Sequence, residues 1–206
     1  MELVDNLLAT SCSGYTPYSI GLRINPVVGA GSIDIMSTAT KASKFGLPVT
    51  ENTRYKIIDL YQKYNWLNGI HFHVGSQGVA LPLFVAAARF CVNLVQEIES
   101  VSGRDLKTVD IGGGLSTSYT APVEPEESSY ALYRDELEKA APELFTGKYR
   151  LITEFGRSLF LKAGLTFTRI EYVKEWIPDI RPIILTHVGS NQVKTFNSIK
   201  FIFLQV

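Results

Sequence analysis

Four short apolar or β-branched segments, Ser19–Asn25, Gly69–Val74, Thr108–Ile111 and Arg150–Thr153, begin roughly 40 to 50 residues apart, and each runs into Gly, Pro or a charged residue. Helical patterns fill the intervals. From Thr53 to Tyr64, the residues Tyr55, Ile58, Tyr61 and Tyr64 recur at near-helical spacing. From Pro82 to Ser102, the set Phe84, Ala87, Cys91, Leu94, Val95 and Ile98 keeps one face, with Pro near the start and Gly103 past the end. From Glu126 to Ala141, acids occupy the first turn and Tyr130, Tyr133, Leu137 and Ala141 form the apolar face. One helix between successive strands is the pattern of βα units, whose right-handed crossovers make the strands parallel. The fold class is therefore α/β. A complete eight-stranded barrel needs ~250 residues, so four visible units are expected to form an open sheet or a barrel with about half of its units absent.

After Arg157 the pattern changes to Leu159–Ala163, Thr166–Val173 and Ile183–Val188, β-rich pieces without a long helix between them. The expected division is a partial barrel over residues 1–160 and the beginning of an all-β domain over 161–206. The closing VKTFNSIKFIFLQV ends on a bare apolar run and reads as an interrupted domain.

Charge narrows the possible partners. With 20 basic and 20 acidic side chains and no Lys/Arg block, the chain lacks the field that gathers a polyanion, so nucleic-acid binding is not expected. The start, MELVDNLLATSCSGY, carries an acid at position 2 and no basic stretch ahead of an apolar one, unlike a secretory signal or a transit peptide. The longest stretch free of Asp, Glu, Lys and Arg, Trp66 to Ala88, is broken by two His, a Gln, several Gly and Pro82, a poor membrane span. Cys12 and Cys91 match no CxxC spacing and read as free thiols in a reducing compartment, so a cytoplasmic location is expected.

The chemistry-bearing residues gather at strand ends, where α/β barrels build their sites. Arg23 lies in GLRINP, His71 and His73 in HFHVGSQ, Gly112 to Gly114 in VDIGGG, and Glu154 with Gly156 and Arg157 in TEFGR. Three Gly after a strand expose backbone N–H groups that can wrap a phosphate, or simply make a tight turn. Two His at i, i+2 on a strand point to one side, as packed core residues or as part of a metal site with a third ligand. Glu154 and Arg157 can pair with each other at the surface. They can equally serve two poles of one ligand, a basic nitrogen and a phosphate.

Taken together, GLRINP, SKFG at Ser43–Gly46, GIHFHVGSQ, VDIGGG and EFGR, in this order and spacing from about Tyr18 to Gln192, resemble the fold-type III pyridoxal-phosphate-dependent decarboxylases of the diaminopimelate, ornithine and arginine group. The NP after the Arg strand and the GSQ after the second His look most like the diaminopimelate branch, which converts meso-2,6-diaminopimelate to L-lysine and carbon dioxide. The resemblance implies a TIM-like (β/α)8 barrel of the alanine racemase type, here its C-terminal half, then the start of a β domain. It implies pyridoxal 5′-phosphate as cofactor, an amino acid as small-molecule substrate, and a homodimer. By the same resemblance, His73 stacks on the cofactor ring, Ser76, Gly113, Gly114 and Arg157 hold its phosphate, Glu154 keeps the ring nitrogen protonated, Gly156 belongs to the cofactor-binding set, and Arg23 lies near the ring in a role left open.

The chain departs from the family in three places. The Schiff-base Lys, in an apolar–Lys–Ala–Asn-like context ahead of Tyr18, has no counterpart here, and Lys44 in SKFG matches a different position. The Cys-acid segment and the Tyr of the C-terminal domain are not matched by Cys12 or Cys91. TEFGR places Phe155 where the family usually has Pro. The expected protein is thus a decarboxylase fragment, inactive and poorly soluble alone. Two alternatives stand beside it: a non-catalytic homologue serving as a regulatory or dimerising partner, and a metal-dependent barrel hydrolase using His71, His73 and an acid such as Asp110 or Glu154, with His187 the one remaining His.

Overall fold

Five parallel strands form one sheet in the order β2-β1-β3-β4-β5, with β1 at Ile20–Asn25, β2 at Leu47–Pro48, β3 at Leu67–Phe72, β4 at Thr108–Asp110 and β5 at Arg150–Ile152. The structure is a computed structural model that describes residues 1–11, 18–28, 43–76, 79–118, 130–161, 163–164, 167–174 and 182–188. All four expected strands are present, displaced by a residue or two at their ends. Each pair of neighbours in the sheet runs parallel, as βα connectivity requires.

The period-two alternation of a strand separates a core face from a site face. Ile24, Ile70, Phe72 and Val109 are buried in the core. On the other face the register aligns Arg23 with His71 and His71 with Asp110. The core face is covered by α2 (Arg54–Lys63), α3 (Leu81–Ser102) and α4 (Tyr130–Ala140). α3 buries Phe84, Ala87, Ala88, Cys91, Val92, Leu94, Val95 and Ile98, which includes all six residues expected on its face. Gly103 ends it in the left-handed conformation, φ +66, the usual glycine stop. By length and composition α3 could cross a membrane, but these eight buried side chains make it the central core helix of the described fold.

The other two helices differ from expectation in which residues they bury. Tyr55 is 56% exposed and Tyr130 39% exposed, whereas α2 buries Ile57, Ile58 and Tyr61 and α4 buries Tyr133 and Leu137. Residues spaced by three slip about 60° around the helix at each step, so the ends of such a row leave the face that its middle occupies. Tyr64 is buried, but as an extended residue after α2 that packs on Trp66. The start expected for α4 at Glu126 lies outside the described residues.

A short 3-10 turn, Pro142–Phe145, leads into β5, and α1 (Glu2–Ser11) precedes the sheet; neither is signalled by the patterns above. The expected β piece Leu159–Ala163 is instead led by one helical turn, α5 (Arg157–Phe160), closed by Phe160 N–H to Gly156 O and Leu161 N–H to Arg157 O. Local i to i−4 bonds satisfy backbone that has no partner strand among the described residues. β6 (Ile170–Lys174) and β7 (Ile183–Thr186) pair antiparallel in a separate two-stranded sheet. Cys91 is a buried free thiol; Cys12 and the closing VKTFNSIKFIFLQV lie outside the described residues.

Candidate functional site

Four strand ends bring the expected residues together because the sheet is parallel and in register. Arg23 on β1, His71 on β3 and Asp110 at the end of β4 are successive neighbours across the sheet. His73, Gly112 and Glu154 each stand two residues further along, which returns them to the same side. The result is a cluster in which Glu154 Oε2 lies 3.5 Å from His71 Nε2 and 3.5 Å from His73 Nδ1. The Glu154 side chain is 48% exposed while the two imidazoles are mostly covered, so the carboxylate forms the open lip of the cluster.

The loops that carry these residues are tied backbone to backbone. Glu154 N–H donates to Gly112 O at 2.8 Å, and Gly113 N–H donates to His73 Nδ1 at 3.2 Å. A Cβ on Gly113 would stand 2.1 Å from Glu154 O, and one on Gly114 1.8 Å from Gly75 O. The glycine run therefore serves first to let three loops approach closely. The N–H of Gly113 is engaged by His73, and that of Gly112 by Asp110 Oδ1 at 2.9 Å. Gly114, the third of the glycines expected to offer donors to an anion, lies against the Gly75 carbonyl.

Electrostatics follow the same crowding. Burial, reinforced by the Arg23 charge, pushes the His73 imidazole below its ordinary range, against the pull of Glu154. Burial raises the Asp110 carboxyl, opposed by the Gly112 N–H bond. His71 Nε2 is buried without a hydrogen bond among the described residues.

Arg23 lies with its guanidinium 4.7 Å above the Phe45 ring, an arrangement that holds a cation without neutralising it. Phe45 belongs to SKFG, so that motif supplies a platform for Arg23. In NP, Asn25 Oδ1 accepts the Val27 N–H at 3.0 Å and shapes the exit from β1 around Val27, φ +53.

TEFGR folds as the end of β5 and the first residue of α5. The Glu154 carboxylate turns to the two histidines, while Arg157 opens α5 after Gly156, whose φ is −102. Phe155, in place of the usual Pro, packs edge to face on Tyr130 and Tyr133, with centroids 5.1 and 5.9 Å apart. Aromatic anchoring to α4 thus steadies a turn that a Pro ring would otherwise stiffen.

Sequence reasoning gave Asp110 only as an alternative metal ligand, whereas the structure ties it to the glycine turn. The spacing D-x-G, with an Asx side chain two residues ahead of a Gly, is the signal that could have found it. The metal alternative also has geometric content, since ligand atoms of His71, His73 and Glu154 all lie within 4.8 Å of one another.

Comparison with known proteins places these features in a family. The model of the pyridoxal-binding domain of pyridoxal-dependent decarboxylases matches residues 3–160. The diaminopimelate decarboxylase of Haemophilus influenzae is 33% identical over 175 residues, 84% of this chain and 40% of that protein. That of Neisseria meningitidis serogroup A is 34% identical over 157 residues, 76% of this chain and 37% of that protein. Among solved structures, the L-lysine complexes of diaminopimelate decarboxylase from Helicobacter pylori and M. jannaschii are similar at TM-scores of 0.64 each, with 25% and 27% identity. Both cover 84% of this chain, and 41% and 40% of their own. The chain thus spans about two fifths of the length of the curated relatives it matches.

Proposed function

The chain belongs to the pyridoxal-dependent decarboxylases, and from that premise we propose that it is the cofactor-binding part of a diaminopimelate decarboxylase, acting on meso-2,6-diaminopimelate to give L-lysine and carbon dioxide. The observation that carries this reading is the convergence of Glu154, His73 and the glycine turn at the ends of three neighbouring parallel strands. The residues fit pyridoxal 5′-phosphate chemically. A half-open carboxylate suits a ring nitrogen, a neutral imidazole suits a ring face, and Gly114, Ser76 and Arg157 offer donors to a phosphate.

When bound, the cofactor supplies an electron sink for the pair left on Cα as carbon dioxide departs. Glu154 has the task of holding the proton on the ring nitrogen, because a carboxylate beside it favours the charged form. His73 presents a neutral face to the ring. Arg157 and the Ser76 hydroxyl bind the phosphate, with Gly114 N–H beside them, and Gly156 leads into α5. Arg23, held over Phe45, keeps positive charge next to His73 and disfavours protonation of that ring.

The wider reading includes a homodimer, a cytoplasmic location, and a domain division near residue 160, with the β6–β7 hairpin opening a β domain. On this reading the chain should bind pyridoxal phosphate. A saturable change in near-ultraviolet or visible absorbance on adding pyridoxal phosphate, weakened at least tenfold in Glu154→Ala, is the expected result. No saturable binding by the folded chain would overturn the reading.

Release of carbon dioxide from diaminopimelate by the chain expressed with its genomic flanks separates an enzyme from a silent, regulatory relative. The His71, His73 and Glu154 triad favours a metal-dependent hydrolase as a further alternative. Stoichiometric zinc in the purified protein, with no pyridoxal phosphate absorbance, would support that instead.

A further inference from the structure

One carboxylate lies at the head of a chain of contacts that ends on the His73 ring. Asp110 closes β4, and its side chain turns forward so that Oδ1 accepts the Gly112 N–H at 2.9 Å, an Asx turn. Gly112 sits at φ +68, and a Cβ there would meet Phe72 O at 2.6 Å and His73 Nδ1 at 2.9 Å, so glycine alone lets the turn lie flat against the histidine. Fixed this way, the turn presents the Gly113 N–H to His73 Nδ1 at 3.2 Å and the Gly112 carbonyl to Glu154 N–H at 2.8 Å.

The Gly113 contact determines the protonation state of the ring. A backbone N–H donates only, so the nitrogen it meets must offer a lone pair. His73 Nδ1 is therefore unprotonated and the ring proton lies on Nε2. Without the glycine amide, the Glu154 carboxylate 3.5 Å from the same Nδ1 would draw a proton onto it. Two groups thus compete for one atom, and the glycine turn decides between them.

We propose that Asp110 is a positioning residue that locks His73 in the neutral, Nε2–H tautomer by holding the Gly112 turn in place. Among the described residues, the charged and titratable groups facing the ring include Arg23, His71, Glu154 and Asp110. Arg23, His71 and burial all act against an imidazolium, in the same direction as the lock. The usefulness of the lock rests on the cofactor reading: a neutral imidazole stacks on a protonated pyridine ring without the repulsion an imidazolium would bring.

The test is long-range 15N–1H NMR of the full 206-residue chain labelled at histidine and free of pyridoxal phosphate, with His73 assigned by His73→Gln. In the unsubstituted chain, Nε2–H should exceed Nδ1–H by about tenfold or more, the ratio one buried hydrogen bond confers. Asp110→Ala should abolish that excess. Asp110→Glu, which keeps the charge but is one methylene too long for the turn, should do the same and serves if the Ala variant does not fold. Asp110→Asn keeps an acceptor at Oδ1 and should preserve the tautomer.

An Nδ1–H ring in the unsubstituted chain overturns the inference outright. So does an unchanged tautomer in Asp110→Ala or Asp110→Glu. Adding pyridoxal phosphate afterwards distinguishes the two readings: a locked ring without binding defeats the cofactor reading alone, and binding with an unlocked ring defeats the lock alone.

Discussion

Replacing Gly113 with Ala tests how closely the site loops are packed. The new Cβ would lie 2.1 Å from Glu154 O, where real Cβ atoms essentially never come within 3.0 Å, so the β4 and β5 loops must part by about 0.9 Å. Backbone lies on both sides, and no flexible side-chain end can yield. Parting by that much would stretch the 2.8 Å bond from Glu154 N–H to Gly112 O beyond hydrogen-bonding range. Overpacking typically costs about 1–3 kcal/mol and the lost bond about 1 kcal/mol, so Gly113→Ala should destabilise the fold by about 2–4 kcal/mol. Because Glu154 moves with its backbone, pyridoxal phosphate affinity should fall as well.

Gly156 supplies the control in the same loop. Nothing lies within 4 Å of a Cβ there and its φ of −102 suits any residue, so Gly156→Ala should leave stability within about 0.5 kcal/mol. Gly103→Ala isolates conformational strain, having open space but φ +66, and should cost about 1–2 kcal/mol. Denaturant unfolding of the three variants, together with pyridoxal phosphate titration, gives the ranking. If Gly113→Ala matched Gly156→Ala in both measurements, the argument that the glycines exist for close loop approach would fail.

Other consequences can be measured on the same protein. Tyr61 is fully buried and its hydroxyl donates to Gly69 O at 2.8 Å, so Tyr61→Phe should lose about 1–2 kcal/mol and lower Tm by about 2–8 °C. Phe155→Ala removes two edge-to-face contacts and should weaken pyridoxal phosphate binding more than it lowers Tm, because it frees a loop on the rim of the fold. His73 stays neutral when folded to lower pH than its ordinary value of about 6.5. Below that pH the unfolded chain binds a proton that the folded chain does not, so stability should fall as pH drops from about 6.5 toward the depressed value; Tm against pH should be flatter there in His73→Gln. Asp110 runs the opposite way: its raised carboxyl makes the folded state the better proton binder, so its contribution fades as pH rises through the window above about 3.9.

The sequence alone determined the parallel α/β architecture and the residues that meet in the site. Strand spacing, glycine punctuation and the buried face of α3 are local properties, fixed by the period of each element and by backbone freedom at single positions. They survive in any context where these strands pair. The ordered motifs likewise named Arg23, His73, the glycine triplet and Glu154, because residues two apart at the ends of parallel strands are bound to converge. Tertiary structure decided what each residue faces. The exposure of Tyr55 and Tyr130 depends on how the helices lie against their neighbours, and the helical turn at Arg157–Phe160 on the lack of a partner strand among the described residues. The engagement of Gly113 with His73 depends on a 3.2 Å approach, set to a few tenths of an ångström, between loops 40 residues apart. Hydrogen bonding falls off over such distances, and no periodicity in a chain encodes them.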